Sequence, residues 1–359
     1  MRGEPHCHPE PPSARRLRST PRIPRPGGPR VVLGVVGSQN DLGGPKIWQL
    51  PGTASEPQRR PQRRIMAMKK ILLQFDVDTQ PCPFDAIVAV DAGADVLLRQ
   101  AGVTPETVAP LVHGAMFTRG GADLAATAIF LGGSNVSAVE AVAAKVQKTF
   151  FGPVRVSVLV DPAGANTTAA AAIVAAARHL PLGDRQAAAS LRAVVLGGTG
   201  PVGQRVGRLL AGKGVQVTLV SRSRDRAAAC CEIVRENQAD ASLTPAATAE
   251  LEQLLPAADL IVAAGAAGVE LLSAEQLGWA GSCRVCIDLN AVPPAGIAGI
   301  AATDKARDVD GLTVYGPLGV GGTKMKIHRA AIARLFTAND QWLDAEELLT
   351  IGEQLDASA

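Results

Sequence analysis

The sequence predicts an α/β chain with at least one doubly wound parallel sheet, on three observations. Short runs rich in Val, Ile and Leu recur along the chain, most of them ending in Gly, Asp or Asn and leading into a helical pattern. One run, Ala193-Val194-Val195-Leu196, breaks into Gly197-Gly198-Thr199-Gly200-Pro201-Val202-Gly203. A helix pattern with Val202, Val206, Leu209 and Leu210 on one face follows, then a second apolar strand from Val215 to Val220. The composition is rich in Ala, Gly and Val, and the net charge of +3 spread over 359 residues singles out neither nucleic acid nor a membrane surface as partner.

Residues 1–65 differ in kind. They are dense in Pro and Arg, and Val31 to Val36 is an apolar island too short for a core. Such a segment is expected to be disordered, because it buries too little surface to offset its ordering entropy. Three origins compete: an upstream translation start with Met66 or Met68 as the true beginning, a transit peptide, and a basic arm for nucleic acid. The many prolines oppose a transit helix, and the lack of interleaved aromatics opposes the arm. The first origin is favoured.

A first α/β domain is expected from 68 to 185. Lys70 to Asp76 reads as its opening strand and Asp85 to Asp91 as a second. Thr104 is placed as an N-cap with Pro105 at the first helical position. Thr127 to Gly133 is a strand with a glycine turn, Ser137 to Phe150 an amphipathic helix, and Val154 to Val160 a buried strand. Asp161 to Thr168 ends that strand and starts an alanine-rich helix running to His179. Open α/β sheets build sites at the carboxyl ends of strands, which marks Asn166 and Thr168. Helix capping by Asn166 or Thr167 is an equal alternative.

The second domain is expected over 190–320. A strand, a glycine turn and a helix in that order turn G-x-G-x-x-G into a dinucleotide (Rossmann) fingerprint. Gly198 serves the tight turn, Gly200 the approach to pyrophosphate and Gly203 close helix packing, with Thr199, Pro201 and Val202 completing the loop. The diphosphate belongs at the helix N-terminus. After the second strand comes Ser221-Arg222-Ser223-Arg224, with no acid until Asp225. Arg222 and Arg224, helped by Ser221, suit a ribose 2′-phosphate, so NADP is expected over NAD. Ala258 to Gly268 is a further strand whose small end, Ala264-Gly265, admits the cofactor. Val285 to Leu289 is another, leading to Asn290, which either faces the ligand or serves a turn. Tyr315 to Ala330 reads as a glycine loop feeding a basic helix start at Lys324, a conflict with the helix dipole. Ala331 to Phe336 and an acidic helix, Asp344 to Leu355, follow.

The six cysteines, at 7, 82, 230, 231, 283 and 286, have no disulfide-framework spacing, and a reducing cytoplasm fits them. Cys283-Arg284-Val285-Cys286 lies on an expected strand without a second pair, so it reads as packing, and no metal site is expected.

Taken together, LLQFDVDTQPCPFD, FTRGGADLAATAIFLGG, FFGPVRVSVLVDPAGANTTAAAA, VVLGGTGPVG, AAGAAGVELL, DLNAVPPAGIAGI, GPLGVGGTKMKIHRA and WLDAEEL make the chain after Met68 resemble the NAD(P)-dependent methylene-tetrahydromethanopterin dehydrogenases of methylotrophic one-carbon metabolism. The resemblance implies a pterin-binding α/β domain, a Rossmann NADP domain, and C-terminal helices over 324–359 that return to the first domain. It also implies a homo-oligomer active in formaldehyde oxidation, and leaves NAD use open. The implied reaction moves a hydride from the methylene carbon to NADP and needs no general base, so orientation dominates and closure of the cleft between domains keeps out water. Lys324 is then the candidate catalytic residue. Beside a developing cation it must be neutral, paired with a carboxylate such as Asp85, or directed at a pterin carbonyl. Phe84 becomes a candidate wall for the pterin ring, with core packing as its alternative. Asn166 and Thr168 become candidate pterin contacts, and His328 is left as structural. A methylene-tetrahydrofolate dehydrogenase and a non-catalytic NADP-binding sensor are the rival readings.

Overall fold

The computed structural model describes residues 68–358, and the extension expected to be disordered lies outside them. In chain order the first half runs β1 (Ile71–Asp76), α1 (Pro83–Asp91), β2 (Val96–Gln100), α2 (Val108–Phe117), β3 (Thr127–Gly132), α3 (Val136–Thr149), β4 (Ser157–Val160) and α4 (Ala165–Ala177). The second half continues α5 (Arg185–Ala188), β5 (Arg192–Leu196), α6 (Pro201–Gly212), β6 (Gln216–Ser221), α7 (Arg224–Asn237), β7 (Leu243–Ala247), α8 (Leu251–Leu254) and β8 (Leu260–Ala263). It closes with α9 (Ala274–Leu277), β9 (Val285–Asp288), β10 (Lys305–Val309), β11 (Leu312–Tyr315), α10 (Pro317–Leu335), β12 (Trp342–Leu343) and α11 (Ala345–Ala357).

Two sheets result. The first has the order β12-β4-β3-β1-β2 and is parallel throughout. Its central strand β3 is buried along its whole length, as a parallel strand covered on both faces must be. The second has the order β10-β11-β9-β8-β5-β6-β7, and only β10 is antiparallel. From β7 inward this is the strand order of a Rossmann fold, reversing between β5 and β8, where such sheets open a ligand crevice.

Helix α4 joins the halves. It is ANTTAAAAIVAAA, buried almost all round, and its small side chains let α6, α10 and α11 approach closely. One hydrophobic core therefore runs from Leu72 and Phe130 of the first sheet, through Ile173 and Val174, to Val195 and Leu219 of the second. The C-terminal segment returns to the first half: β12 pairs with β4, and α10 and α11 pack on α4.

Three elements differ from the sequence reading. Asp85 to Asp91 is helix α1, entered through Pro83 at a first-turn position, with Val88 and Ala89 inward and Ile87 and Val90 exposed. A short apolar run does not carry a period that separates strand from helix, and the proline was the missed signal. Helix α2 starts at Val108 with Thr107 as N-cap, although the Val108 amide already bonds the Thr104 carbonyl. The expected glycine loop before Lys324 is the start of the single helix α10, with Pro317 in its first turn. An ideal Cβ on Gly319 would lie 1.9 Å from the Asp304 carbonyl oxygen, so this glycine allows close packing and not a loop. Lys324 consequently sits about two turns inside a helix, and the dipole conflict disappears.

Candidate functional site

The dinucleotide edge is built from the carboxyl ends of β5, β6 and β8. Gly197, not Gly198, takes the left-handed turn (φ +67), and an ideal Cβ there would fall 2.5 Å from Gly265 Cα. The same atom on Gly203 would fall 2.5 Å from the Gly197 carbonyl oxygen, so α6 can dock on the turn only without a side chain. Gly198 presses against Leu219, and Val202 packs into the core, so these two and Gly203 support the loop from behind. Gly200 is the N-cap of α6, and Pro201 enters its first turn.

A groove of about 380 Å³ opens in front of this turn, lined among others by Thr199, Gly200, Pro201, Ser221, Ala264 and Gly265. The Thr199 and Ser221 hydroxyls are 3.3 Å apart. Arg222 lines the groove, as the sequence reading expected, and so does Arg226, which that reading missed. Arg224 does not: its guanidinium is paired with Glu250, whose carboxylate also accepts the Ala247 amide. The cause is local. Ser223 caps α7, and from the cap Arg224 at the first helical position turns toward Glu250. The Asn290 carboxamide serves its turn, donating to the Pro294 carbonyl and accepting from the amides of Val292 and, at 3.4 Å, Gly268.

The second edge lies at the carboxyl ends of β1 and β4, where α1 and α10 meet the Asp161–Gly164 turn. Ala163 and Gly164 are both left-handed. Lys324 lies over this turn, its Nζ 2.6 Å from where a Gly164 Cβ would be and 5.6 Å from the centroid of the Phe84 ring. Phe84 is 44% exposed, so it does not serve as ordinary core. Beside it, the Asp85 carboxyl is pushed up from 3.8 to about 7. Burial is the main cause, Asp161 and Asp76 add to it, and Lys324 and a hydrogen bond with Cys82 oppose it. Thr168 is half-buried and donates to the Gly164 carbonyl at 2.6 Å.

Asn166 corrects the sequence reading. It is fully buried and committed: its amide nitrogen donates to the Val160 carbonyl and to Asp344 Oδ1, while its Oδ1 accepts from Arg205. Its carboxamide has no hydrogen left for a pterin, and neither it nor Thr167 caps α4, whose first amides, those of Asn166 and Thr167, go to Asp161 Oδ1. His328 lies one turn from Lys324, fully buried, its ring stacked on Phe130 (centroids 5.8 Å apart) and tilted toward Phe84. Burial lowers its pKa, Asp161 opposes this and Lys324 adds to it, so the ring stays neutral near pH 7. The CxxC cysteines pack in the core under the second sheet.

Arg205 stands off the apolar Val202, Val206, Leu209 and Leu210 face of α6 and is nevertheless only 5% exposed. It links the two edges. Its Nε donates to Asn166 Oδ1 at 2.7 Å, so the second turn of α6 and the first turn of α4 stand side by side.

Two family models match the chain: "Methylene-tetrahydromethanopterin dehydrogenase, N-terminal" over residues 83–163 and "Shikimate / quinate 5-dehydrogenase" over residues 183–312. Two curated relatives come from Methylorubrum extorquens. "Bifunctional protein MdtA" is 41% identical over 295 residues, covering 80% of this chain and 99% of the relative. "NAD(P)-dependent methylenetetrahydromethanopterin dehydrogenase" is 33% identical, covering 67% of this chain and 79% of the relative. Among solved structures, quinate dehydrogenase from Corynebacterium glutamicum in complex with NAD is 15% identical, with a TM-score of 0.43 over 79% of this chain and 98% of its own. Shikimate dehydrogenase from Mycobacterium tuberculosis is 17% identical, with a TM-score of 0.41 over 79% and 99%. With 41% identity over nearly the whole of one relative, 33% over 79% of the methylenetetrahydromethanopterin dehydrogenase, and the matched N-terminal model spanning Asp85 and Asp161, the chain belongs to the methylene-tetrahydromethanopterin dehydrogenase family.

Proposed function

We propose that this chain is an NAD(P)-dependent oxidoreductase that takes a hydride from the methylene carbon of methylene-tetrahydromethanopterin, leaving the methenyl cation, with NADP as the preferred acceptor. The observation that carries the reading is the link between a dinucleotide groove and a Lys324–Phe84–Asp85 cluster through the Arg205–Asn166 hydrogen bond joining α6 to α4.

The groove fits NADP on its own features. Two bare backbones meet at Gly197 and Gly265, a helix N-terminus faces the loop, and Arg222 and Arg226 line the groove without an ion-pair partner among the described residues. Bound there, the nicotinamide supplies the hydride acceptor. Gly200, Pro201, Thr199, Ala264 and Gly265 hold the dinucleotide, and Ser221, Arg222 and Arg226 hold its ribose phosphate. Arg224 and Asn290, occupied with Glu250 and a turn, have at most a supporting part.

On the other edge Phe84 offers an exposed ring face to the pterin, and Thr168 a hydroxyl oxygen that still accepts. Lys324 positions the pterin from beside the Asp161–Gly164 turn. The two nitrogens flanking the methylene carbon stabilise the cation that forms, so no side chain has to move a proton at that carbon. A lone ammonium beside the cation would raise the barrier, and the adjacent Asp85 carboxylate offsets it.

In the same reading the enzyme works as a homo-oligomer in a reducing cytoplasm. Cys82, Cys230, Cys231, Cys283 and Cys286 are free thiols, and no helix among the described residues is long and apolar enough to cross a membrane. The test is an absorbance assay of the purified chain with NADP or NAD and either methylene-tetrahydromethanopterin or methylene-tetrahydrofolate. The reading expects NADPH formation with the first pterin. Faster turnover of the folate would reassign the substrate, and NADP binding without turnover of either would make the chain a sensor.

A further inference from the structure

Arg205 stands on the second turn of α6, the helix whose N-terminus faces the dinucleotide groove, yet its guanidinium is buried between the two halves of the molecule. Nε donates to Asn166 Oδ1 at 2.7 Å, Nη2 to Glu140 on α3, and Nη1 to the Pro201 carbonyl at 3.4 Å. Asn166 passes the connection on. Its side-chain nitrogen reaches the Val160 carbonyl at 2.7 Å and Asp344 Oδ1 at 2.6 Å, and its backbone amide reaches Asp161 Oδ1 at 2.9 Å. Asp161 also takes the Thr167 hydroxyl at 2.7 Å and so fixes the turn on which Lys324 lies.

A buried ion is a poor way to glue helices, since apolar side chains of similar volume often serve stability as well or better. The other cations on this side of α6, Arg208 and Lys213, reach Glu346 and Glu353 on α11 at the more exposed rim. Arg208 also lies 3.7 Å from Asp344 Oδ1, but of the three only Arg205 bonds Asn166 itself and through it reaches the Asp161–Gly164 turn, with a planar fork that favours a defined geometry.

We propose that Arg205 is a positioning residue for hydride transfer: through Asn166 it holds α6 and α4 in the register that sets the hydride acceptor against the pterin's methylene carbon. The inference rests on the function proposed above. It asks little of binding, because the groove and the Lys324 cluster are each complete without Arg205. It asks much of the chemical step, where reacting atoms must come within about 3–3.5 Å and a shift of about 1 Å costs on the order of 100-fold.

The test compares Arg205→Lys and Arg205→Met with wild type in steady-state kinetics, using methylene pterin with and without deuterium at the methylene carbon. Both variants are expected to lose about tenfold or more in kcat, with KM for NADP and pterin within about threefold and a larger deuterium isotope effect on kcat. Arg205→Met leaves the buried Asn166 Oδ1 without its donor and is expected to melt lower than wild type, so Arg205→Lys, which keeps a cationic donor there, carries the distinction: a kcat loss with a melt close to wild type is what a purely structural role would not give. Arg178→Lys, which perturbs the ion pair with Asp356 at the far end of α4, is the matched control and should keep kcat within about twofold. A wild-type kcat in Arg205→Lys overturns the inference, as does a loss of kcat matched by a rise in KM for NADP, which would make Arg205 a cofactor-binding determinant. Should neither variant fold, Glu140→Ala replaces a half-exposed partner and is expected to show the same kcat-only loss at smaller size, with unchanged kcat overturning the inference. Wild type that turns over no methylene pterin removes the proposed function itself, a result separate from any Arg205 outcome.

Discussion

In the proposed mechanism Asp85 is the residue whose charge state matters most. Its carboxyl titrates near 7 because burial, then Asp161 and Asp76, disfavour the anion, while Lys324 and Cys82 favour it. On the proposed roles, above that pH the anion offsets Lys324 beside the forming cation, and below it the lysine charge stands alone. kcat/KM should therefore rise with pH through about 7 by roughly tenfold or more, and Asp85→Asn should stay flat at the acid level. A pH–rate profile of both proteins checks this. Stability runs the other way. A folded-state pKa raised from 3.8 to about 7 means the native state holds the proton more tightly. That contribution is full below pH 4 and is lost as pH climbs to about 7, so thermal melts of wild type should fall across this window more than those of Asp85→Asn. At the ribose, Arg222→Ala and Arg226→Ala should each raise KM for NADP about tenfold with NAD little changed, because a charge-assisted bond contributes about 1.5–3 kcal/mol. Arg224→Ala should leave it within about twofold, its partner being an exposed Glu250 pair. Measured KM values for both cofactors decide between them.

At the scale of elements, what was legible followed from local constraints. β5, its glycine turn, α6 and β6 were readable because each glycine answers a contact inside the motif, as Gly203 does against the Gly197 carbonyl. Gly203→Ala should cost about 1–3 kcal/mol through overpacking and weaken NADP binding, a change that cofactor titration and melting measure together. The misreadings have one physical source: they depend on neighbours distant in sequence. Gly319 looks like loop flexibility until Asp304 is set against it. Asn166 looks like a ligand contact until Arg205 and Asp344 arrive from 39 and 178 residues away. Arg205 itself reads as solvated because the polar face of α6 is turned toward α3, α4 and α11. Arg224 and Arg226 are equivalent in sequence, and Glu250 separates them.

At the scale of the whole molecule, a single core crosses from one sheet to the other through α4. The resemblance implies closure of a cleft between the domains. The apolar core shared through α4 bears on how far such motion can go, since relative domain motion is the default only where the interface between domains is small and polar. Specificity for a hydride transfer that needs no proton movement would then come from the relation between the two edges. The most direct measurement uses methylene-tetrahydromethanopterin dideuterated at its methylene carbon, mixed with NADP and the purified chain, with both products read by mass spectrometry. The account predicts one deuterium in NADPH for each methenyl pterin that retains one deuterium. Deuterium appearing in water, or none reaching NADPH, would contradict it.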